Sequence, residues 1–315
     1  MSCELMRTKI SLTLYFNTNP KTNQMKKRSL LSIVILIAVS GFVFTTFYSC
    51  KPPNKNIGLQ LYSIRDSIMR DVPGAIAKVA EMGYTFVEPA GYGNGKFYNM
   101  TPADFKSLCE KNSLLVLSSH TGQALPDSAG WEETMKWWDD CIAAHAAVGV
   151  KYIVQPFMGG EAYRSLDTLK RYCDYFNLIG EKCNAAGIRF GYHNHDNEFS
   201  TQLEGQTVYD FMLANTDPAK VMYEMDLYWT VVGGANPVDY FNKYPGRFEL
   251  WHIKDKKEVG ASGMMNFEAI WAAAPQSGMK YGVVEVEEYS FDQFTSCAKS
   301  SEWLNLQSYI KLPKK

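Results

Sequence analysis

The chain has 315 residues, 46% of them hydrophobic and 21% charged, enough apolar material for a full core and too much for a disordered chain. The formal charge is −1, but residues 1–50 carry six of the 32 Lys and Arg and one of the 33 Asp and Glu, so the remainder holds 26 basic against 32 acidic groups, a net −6. No basic stripe is left to steer a polyanion, and the sequence argues against nucleic-acid binding.

In chain order, the first feature is a targeting segment. A basic cluster follows Met25, an apolar stretch runs from Leu30 to Phe47, and the segment stops at Ser49-Cys50. It resembles a bacterial lipoprotein signal, with Met25 as the start and Cys50 as the lipidated residue, although Phe47 and Tyr48 are bulkier than the small residues usual before that cysteine. The competing expectation is a retained signal anchor, since about 18 apolar residues just span a bilayer. Both place the folded body outside the cytoplasm, on the periplasmic side and tied to the membrane only through this N-terminus. Residues 51–56 read as a tether. Five cysteines remain in the body, an odd number without CxxC spacing, and suggest neither a zinc knuckle nor a disulfide framework.

From Ile57 onward short apolar runs alternate with longer segments of helical period. IGLQLYS leads to VPGAIAKVAEMG, YTFVEPAG to TPADFKSLCEKN, LLVLSSHTG to WEETMKWWDDCIAAHAAVG, and KYIVQPFMGG to SLDTLKRYCDYFNLIGEKCNAAG. IRFGYHNH then leads to TVYDFMLAN, VMYEMDLYW to PVDYFNKY, FELWHIKD to FEAIWAAA, and YGVVEVEEYS to the last helix. Eight strand-then-helix units predict an α/β fold with a parallel sheet covered by helices. Over residues 57–315 they predict a single (β/α)8 TIM barrel, and no GxGxxG follows the first strand to favour a dinucleotide fold.

Such a barrel puts its chemistry at the C-terminal ends of the strands. Those ends carry Gln60 and Tyr62, Glu88, His120, Gln155, His193 and His195, Asp226, His252 and Lys254, and Glu285 and Glu287. Four of the five histidines are in that set; His145, on the third helix, is the exception. Imidazole and carboxylate suit Mn, Zn, Co and similar divalent ions. One ligand from each of strands five to eight converges on a single ion if these are His193, Asp226, His252 and Glu285. Asn194 alternates to the other face, and Asp226 has a second reading as a helix cap. Glu285, His195 and Lys254 are the candidate proton handlers, Lys254 being alternatively a partner of Asp255. Glu88 and His120 are expected to bond substrate hydroxyls, and Gln60, Tyr62, Gln155, Tyr228 and Trp229 to line a sugar pocket. Glu287 reads as a solvated loop carboxylate.

GLQLYSIR on strand one, YHNH on strand five, MDLYW on strand six, HIKD on strand seven and VVEVEEY on strand eight together resemble the xylose-isomerase-like superfamily often labelled sugar phosphate isomerase/epimerase, which includes tagatose-type epimerases and inosose dehydratases. The resemblance spans Ile57 to about Ile310. It implies one divalent ion (Mn, Zn, Co or Mg), held by a carboxylate of strand five, an Asp of six, a His of seven and a Glu of eight, positions that fall on His193, Asp226, His252 and Glu285. The departure is His193, where many epimerases of the superfamily have the Glu that shares proton transfer with the Glu of strand eight. The expected activity is a metal-dependent isomerase or epimerase removing a proton next to a carbonyl of a non-phosphorylated sugar or cyclitol. A lyase or dehydratase, for example by β-elimination on a 3-keto-glycoside, and a sugar-binding lipoprotein without turnover are the alternatives. The partner is a small carbohydrate; homo-oligomerisation is left open.

Overall fold

The computed structural model describes residues 55–312, so the targeting segment and Cys50 lie outside the described residues. The strands are Ile57–Gln60 (β1), Phe86–Glu88 (β2), Leu115–Val116 with Ser118–His120 (β3, broken at Leu117), Tyr152–Gln155 (β4), Arg189–His193 (β5), Val221–Asp226 (β6), Leu250–Lys254 (β7) and Tyr281–Glu285 (β8). The helices that follow them in turn are Val72–Glu81 (α1), Pro102–Lys111 (α2), Trp131–Val148 (α3), Leu166–Ala185 (α4), Val208–Asn215 (α5), Pro237–Lys243 (α6), Phe267–Ala272 (α7) and Gln293–Leu306 (α8). Local chemistry sets most helix starts. Asp71, Thr101, Ser165, Thr207, Asn236, Asn266 and Asp292 each accept a backbone N–H of the first turn of α1, α2, α4, α5, α6, α7 and α8. Helix α3 ends instead on Gly149, whose φ of +93° is a left-handed conformation that costs glycine nothing.

All neighbouring barrel strands pair in parallel, in the order β2-β1-β8-β7-β6-β5-β4. Strand β3 closes the ring: its first half pairs with β2 and its second with β4. At the break, the Leu117 N–H bonds the Val87 carbonyl at 3.1 Å and the His120 N–H the Pro89 carbonyl at 2.9 Å. Two short antiparallel ribbons, Tyr92–Gly93 with Lys96–Phe97 and Gln202–Leu203 with Gln206–Thr207, decorate the loops after β2 and β5 and were not expected from the sequence. Lys55 and Asn56, expected in the tether, belong to the fold. The Lys55 backbone N–H bonds Asn305 at 2.8 Å and its ammonium the Leu304 carbonyl at 2.6 Å, a cation at a helix C-terminus.

Alternation along the strands builds the site. Phe86, Leu117, Tyr152, Val154, Met222, Leu250 and Val283 form an apolar group of their own inside the barrel. A separate, larger core lies between strands and helices and includes Leu59, Val87, Ile153, Tyr192, Tyr223, Trp251 and Val284. Two residues beyond the inner group on β2, β6, β7 and β8 come Glu88, Glu224, His252 and Glu285, so an apolar floor gives way to a charged layer on the same face. Glycines make room in this floor. A Cβ on Gly58 would stand 2.0 Å from the Phe86 ring, and one on Gly191 2.4 Å from the end of Met222. On β3, Leu117 and His120 both face inward although three residues apart, while Ser119 meets His145 of α3 at 3.0 Å. The irregularity at Leu117 shifts the alternation and aims His120 into the barrel. Among the described residues no helix is long and apolar enough to cross a membrane, and the five cysteines are free and buried.

Candidate functional site

Parallel register sets the site's neighbours side by side: Gln60 with Glu88, His193 with Glu224, Asp226 with His252, and Lys254 with Glu285. One ligand atom from each of His193, Asp226, His252 and Glu285 lies within 4.8 Å of the others, and all four residues are buried. The structure therefore brings together the four positions named as ligands. Asp226 has both of the roles the sequence suggested. Its Oδ1 accepts the Trp229 N–H at 2.8 Å and starts the short helix Leu227–Val232, while its buried Oδ2 has no partner. Asn194 faces away, bonded to the Asp226 backbone at 3.1 and 3.2 Å.

Glu224 was missed. It is fully buried, and its Oε2 lies 2.6 Å from His120 Nε2, 3.2 Å from His193 Nδ1 and 3.2 Å from His252 Nε2. The signal was present in EMD, since Glu224 precedes Asp226 by two residues and must share its face. Glu88 and Gln60, expected to touch substrate, instead lie buried in this layer: Gln60 donates to Glu88 at 2.8 Å, and His252 Nε2 reaches Glu88 at 2.7 Å. Gln155 follows inward-facing Val154 and so turns off the inner face, its amide donating to the Gln123 and Phe157 carbonyls in the loops after β3 and β4 at 3.0 and 2.9 Å.

A cavity of about 410 Å3 opens above the charged layer. His120, His193, His195, Glu285 and Glu287 reach it, with Tyr62 and Phe157, both more than 40% exposed, at its mouth. Of the residues expected to bind sugar, Tyr62 and His120 border this cavity. Tyr228 and Trp229 are half-buried outside its lining, the Trp229 ring 5.6 Å beneath the Lys254 ammonium and 6.1 Å from the His195 ring. Lys254 pairs with Glu285 at 3.1 Å and with Glu287 at 2.5 Å, not with Asp255, which binds the backbone of its own loop. Glu287 is thus an ion-pair partner on the cavity wall and not a free loop carboxylate. His145 is structural, held by the Cys141 carbonyl at 2.7 Å and by Ser119.

Burial opposes charge throughout the layer, and neighbours decide each group. Despite burial, His120 and His252 hold Glu88 down at about 2. Glu285, also desolvated, is held well below the usual carboxylate range by Lys254 and His252. Burial with the repulsion of Glu88 pushes Glu224 up to about 7, and burial pushes Asp226 up to about 7. Burial would also discharge His252, but Glu224 and Glu285 raise it well above the ordinary imidazole value. His193 goes the other way: burial, then His252 and His120, push it well down, leaving a neutral imidazole suited to ligation.

The sequence profile of the xylose isomerase-like TIM barrel matches residues 76–306. The chain belongs to that family. Two solved structures from Parabacteroides distasonis, each named a sugar phosphate isomerase/epimerase, are similar to it. One is 36% identical, covers 82% of this chain and all of its own, with a TM-score of 0.76; the other is 34% identical, covers 84% and 97%, with a TM-score of 0.77. An inosose dehydratase of Lacticaseibacillus casei is 25% identical over 63% of this chain and 79% of its own length. Members of the family are enzymes, and its isomerases, epimerases and dehydratases share this barrel.

Proposed function

We propose that the chain is a metal-dependent lyase of the dehydratase kind, acting on a non-phosphorylated keto-sugar or keto-cyclitol. The observation that carries the reading is the makeup of the cavity wall: a neutral histidine, His193, occupies the strand-five position, and the carboxylate of strand eight, Glu285, is clamped by Lys254. Epimerisation by two opposed carboxylates lacks its second member here, whereas elimination needs one base. The inosose dehydratase similarity supports the same choice. Among the described residues no Arg or Lys lines the cavity, and the nearby Lys254 is taken up by Glu285 and Glu287, so no free cationic side chain is placed to hold a phosphoryl group.

The donor set fits a divalent ion, since mixed imidazole and carboxylate ligands converge and Asp226 Oδ2 is buried without a partner. Held by His193, Asp226, His252 and Glu285, such an ion would polarise the carbonyl and acidify the neighbouring carbon. The protein's part is positional. Lys254 fixes Glu285 and Glu287, the Glu198 carboxylate holds the His195 backbone N–H at 2.9 Å, and the His195 ring stands on the cavity wall beside His193 at 5.0 Å. His195 takes the proton from the carbon next to the carbonyl. The carbon–oxygen bond one carbon further breaks, the electron pair leaves with the oxygen, and His195 returns the proton to it, giving an enone and water or an alcohol.

Isomerase or epimerase activity is the second reading, favoured by the names of the two Parabacteroides structures; the proton then returns to carbon. Incubation of the Mn-loaded protein with keto-sugars and keto-cyclitols in deuterium oxide separates the two. Elimination gives an ultraviolet-absorbing enone, abolished in His195→Gln. Deuterium in an intact sugar without enone overturns the lyase reading, and binding with neither leaves a sugar-binding protein.

A further inference from the structure

The charged layer contains more donors than one ion can use, and they sort into two groups. Above are Asp226 and Glu285. Below, around the single oxygen Glu224 Oε2, stand three imidazole nitrogens: His120 Nε2 at 2.6 Å, His193 Nδ1 at 3.2 Å and His252 Nε2 at 3.2 Å. One ligand atom from each of these four residues lies within 4.8 Å of the others. His252 stands between the groups, with Nε2 toward Glu224 and Glu88 and Nδ1 toward Glu285 at 3.3 Å.

We propose that His120, His193, Glu224 and His252 form a second seat for a divalent transition ion, below the one bounded by Asp226 and Glu285. A second observation points to a ligand there. Glu224 Oε1, the second oxygen of this completely buried carboxylate, has no partner, an unmet lone pair that an ion held by both oxygens would satisfy. The His120 and His193 side chains border the cavity, giving an ion a way in.

Three imidazoles and one carboxylate favour zinc, cobalt or nickel over magnesium and manganese, which prefer oxygen. The upper seat, with two carboxylates among its four donors, suits the harder ions better. Both seats draw on His193 and His252, so zinc taken in below competes with the ion above. The inference concerns metal selectivity and does not depend on the reaction proposed.

Its test is a titration of metal-free full-length protein with Co2+, read by visible absorption and by calorimetry, in wild type, Asp226→Asn, Glu224→Gln and His120→Gln. Circular dichroism checks that each variant is folded. Asp226→Asn is expected to keep the cobalt band and a dissociation constant near that of wild type. Glu224→Gln and His120→Gln should each weaken binding at least about 10-fold. Loss of the band in Asp226→Asn overturns the proposal, as does its retention in both lower variants. His120 borders the cavity and not the deepest part of the core, so its variant decides the matter even if Glu224→Gln does not fold. These readouts involve no turnover, so a wrong substrate class leaves the outcome untouched.

Discussion

Asp226→Asn should make the metal-free protein more stable, because the cost of burying the Asp226 carboxylate outweighs the help of Lys254 and His252. Burial pushes its pKa from 3.8 up to about 7, so folding at high pH works against an ionised group that is well solvated in the unfolded chain. An acid raised in the fold contributes full stability below its unfolded pKa and loses it as pH climbs toward the folded value. Between about pH 4 and 7 the wild type therefore loses on the order of 4 kcal/mol, at about 1.36 kcal/mol per unit. Asparagine keeps an oxygen for the Trp229 N–H and carries no charge. With chelator present, urea unfolding followed by tryptophan fluorescence should show Asp226→Asn ahead of wild type by up to about 4 kcal/mol at pH 8 and about 2 kcal/mol at pH 5. Asp226→Ala should trail the Asn variant by about 1 kcal/mol, the worth of the lost cap. Mn at a hundred times its dissociation constant should close most of the gap at pH 8, stabilising wild type by about 2.7 kcal/mol. An Asn variant less stable than wild type at pH 8 in chelator would refute the reasoning.

Gly58→Ala should destabilise the barrel by about 1–3 kcal/mol, since the new Cβ meets the fully buried Phe86 ring, and adding Phe86→Leu should recover part of the loss in the same urea assay. Burial lowers His145 to about 4, so its neutral form is the folded one and stability falls as pH drops from 6.5 toward 4. Relative to His145→Gln, wild type should lose about 2 to 3 kcal/mol between pH 7 and 4.5. Tyr62→Ala and Phe157→Ala, at the cavity mouth, should raise KM and leave kcat nearly unchanged, the mark of uniform binding; an equal fall in kcat would place these rings at the reacting centre.

The barrel was legible because each strand and helix announces itself locally, through apolar runs and capping residues such as Asp71 and Ser165. The quartet was legible because four ionisable residues stand at the ends of successive strands. What escaped was side-chain direction. The alternation that turned Asn194 away also places Glu224 beneath Asp226 and turns Gln155 outward behind Val154. The break at Leu117 could not be read this way. A one-residue irregularity changes no composition and no period, yet it decides whether His120 faces Glu224 or the helices. Glu88 escaped for another reason: its strand stops at the residue itself, so depth in the barrel, and not proximity to a strand end, separates it from the cavity.

Depth also explains the excess of charge. Four buried carboxylates, Glu88, Glu224, Asp226 and Glu285, face Lys254 and three imidazoles, of which His193 is driven neutral. Full pairing would hold every carboxylate down, as His120 and His252 hold Glu88 at about 2, yet Glu224 and Asp226 both rise to about 7. Such a layer is poor material for stability, since desolvation of ions exceeds their attraction unless every lone pair is satisfied. Three carboxylate oxygens in it, on Glu88, Glu224 and Asp226, are not. A sequence that breaks local rules at one place and keeps them elsewhere points to function at that place. Here the rule broken is the pairing of buried charge, and the oxygens left without partners mark where a cation would sit.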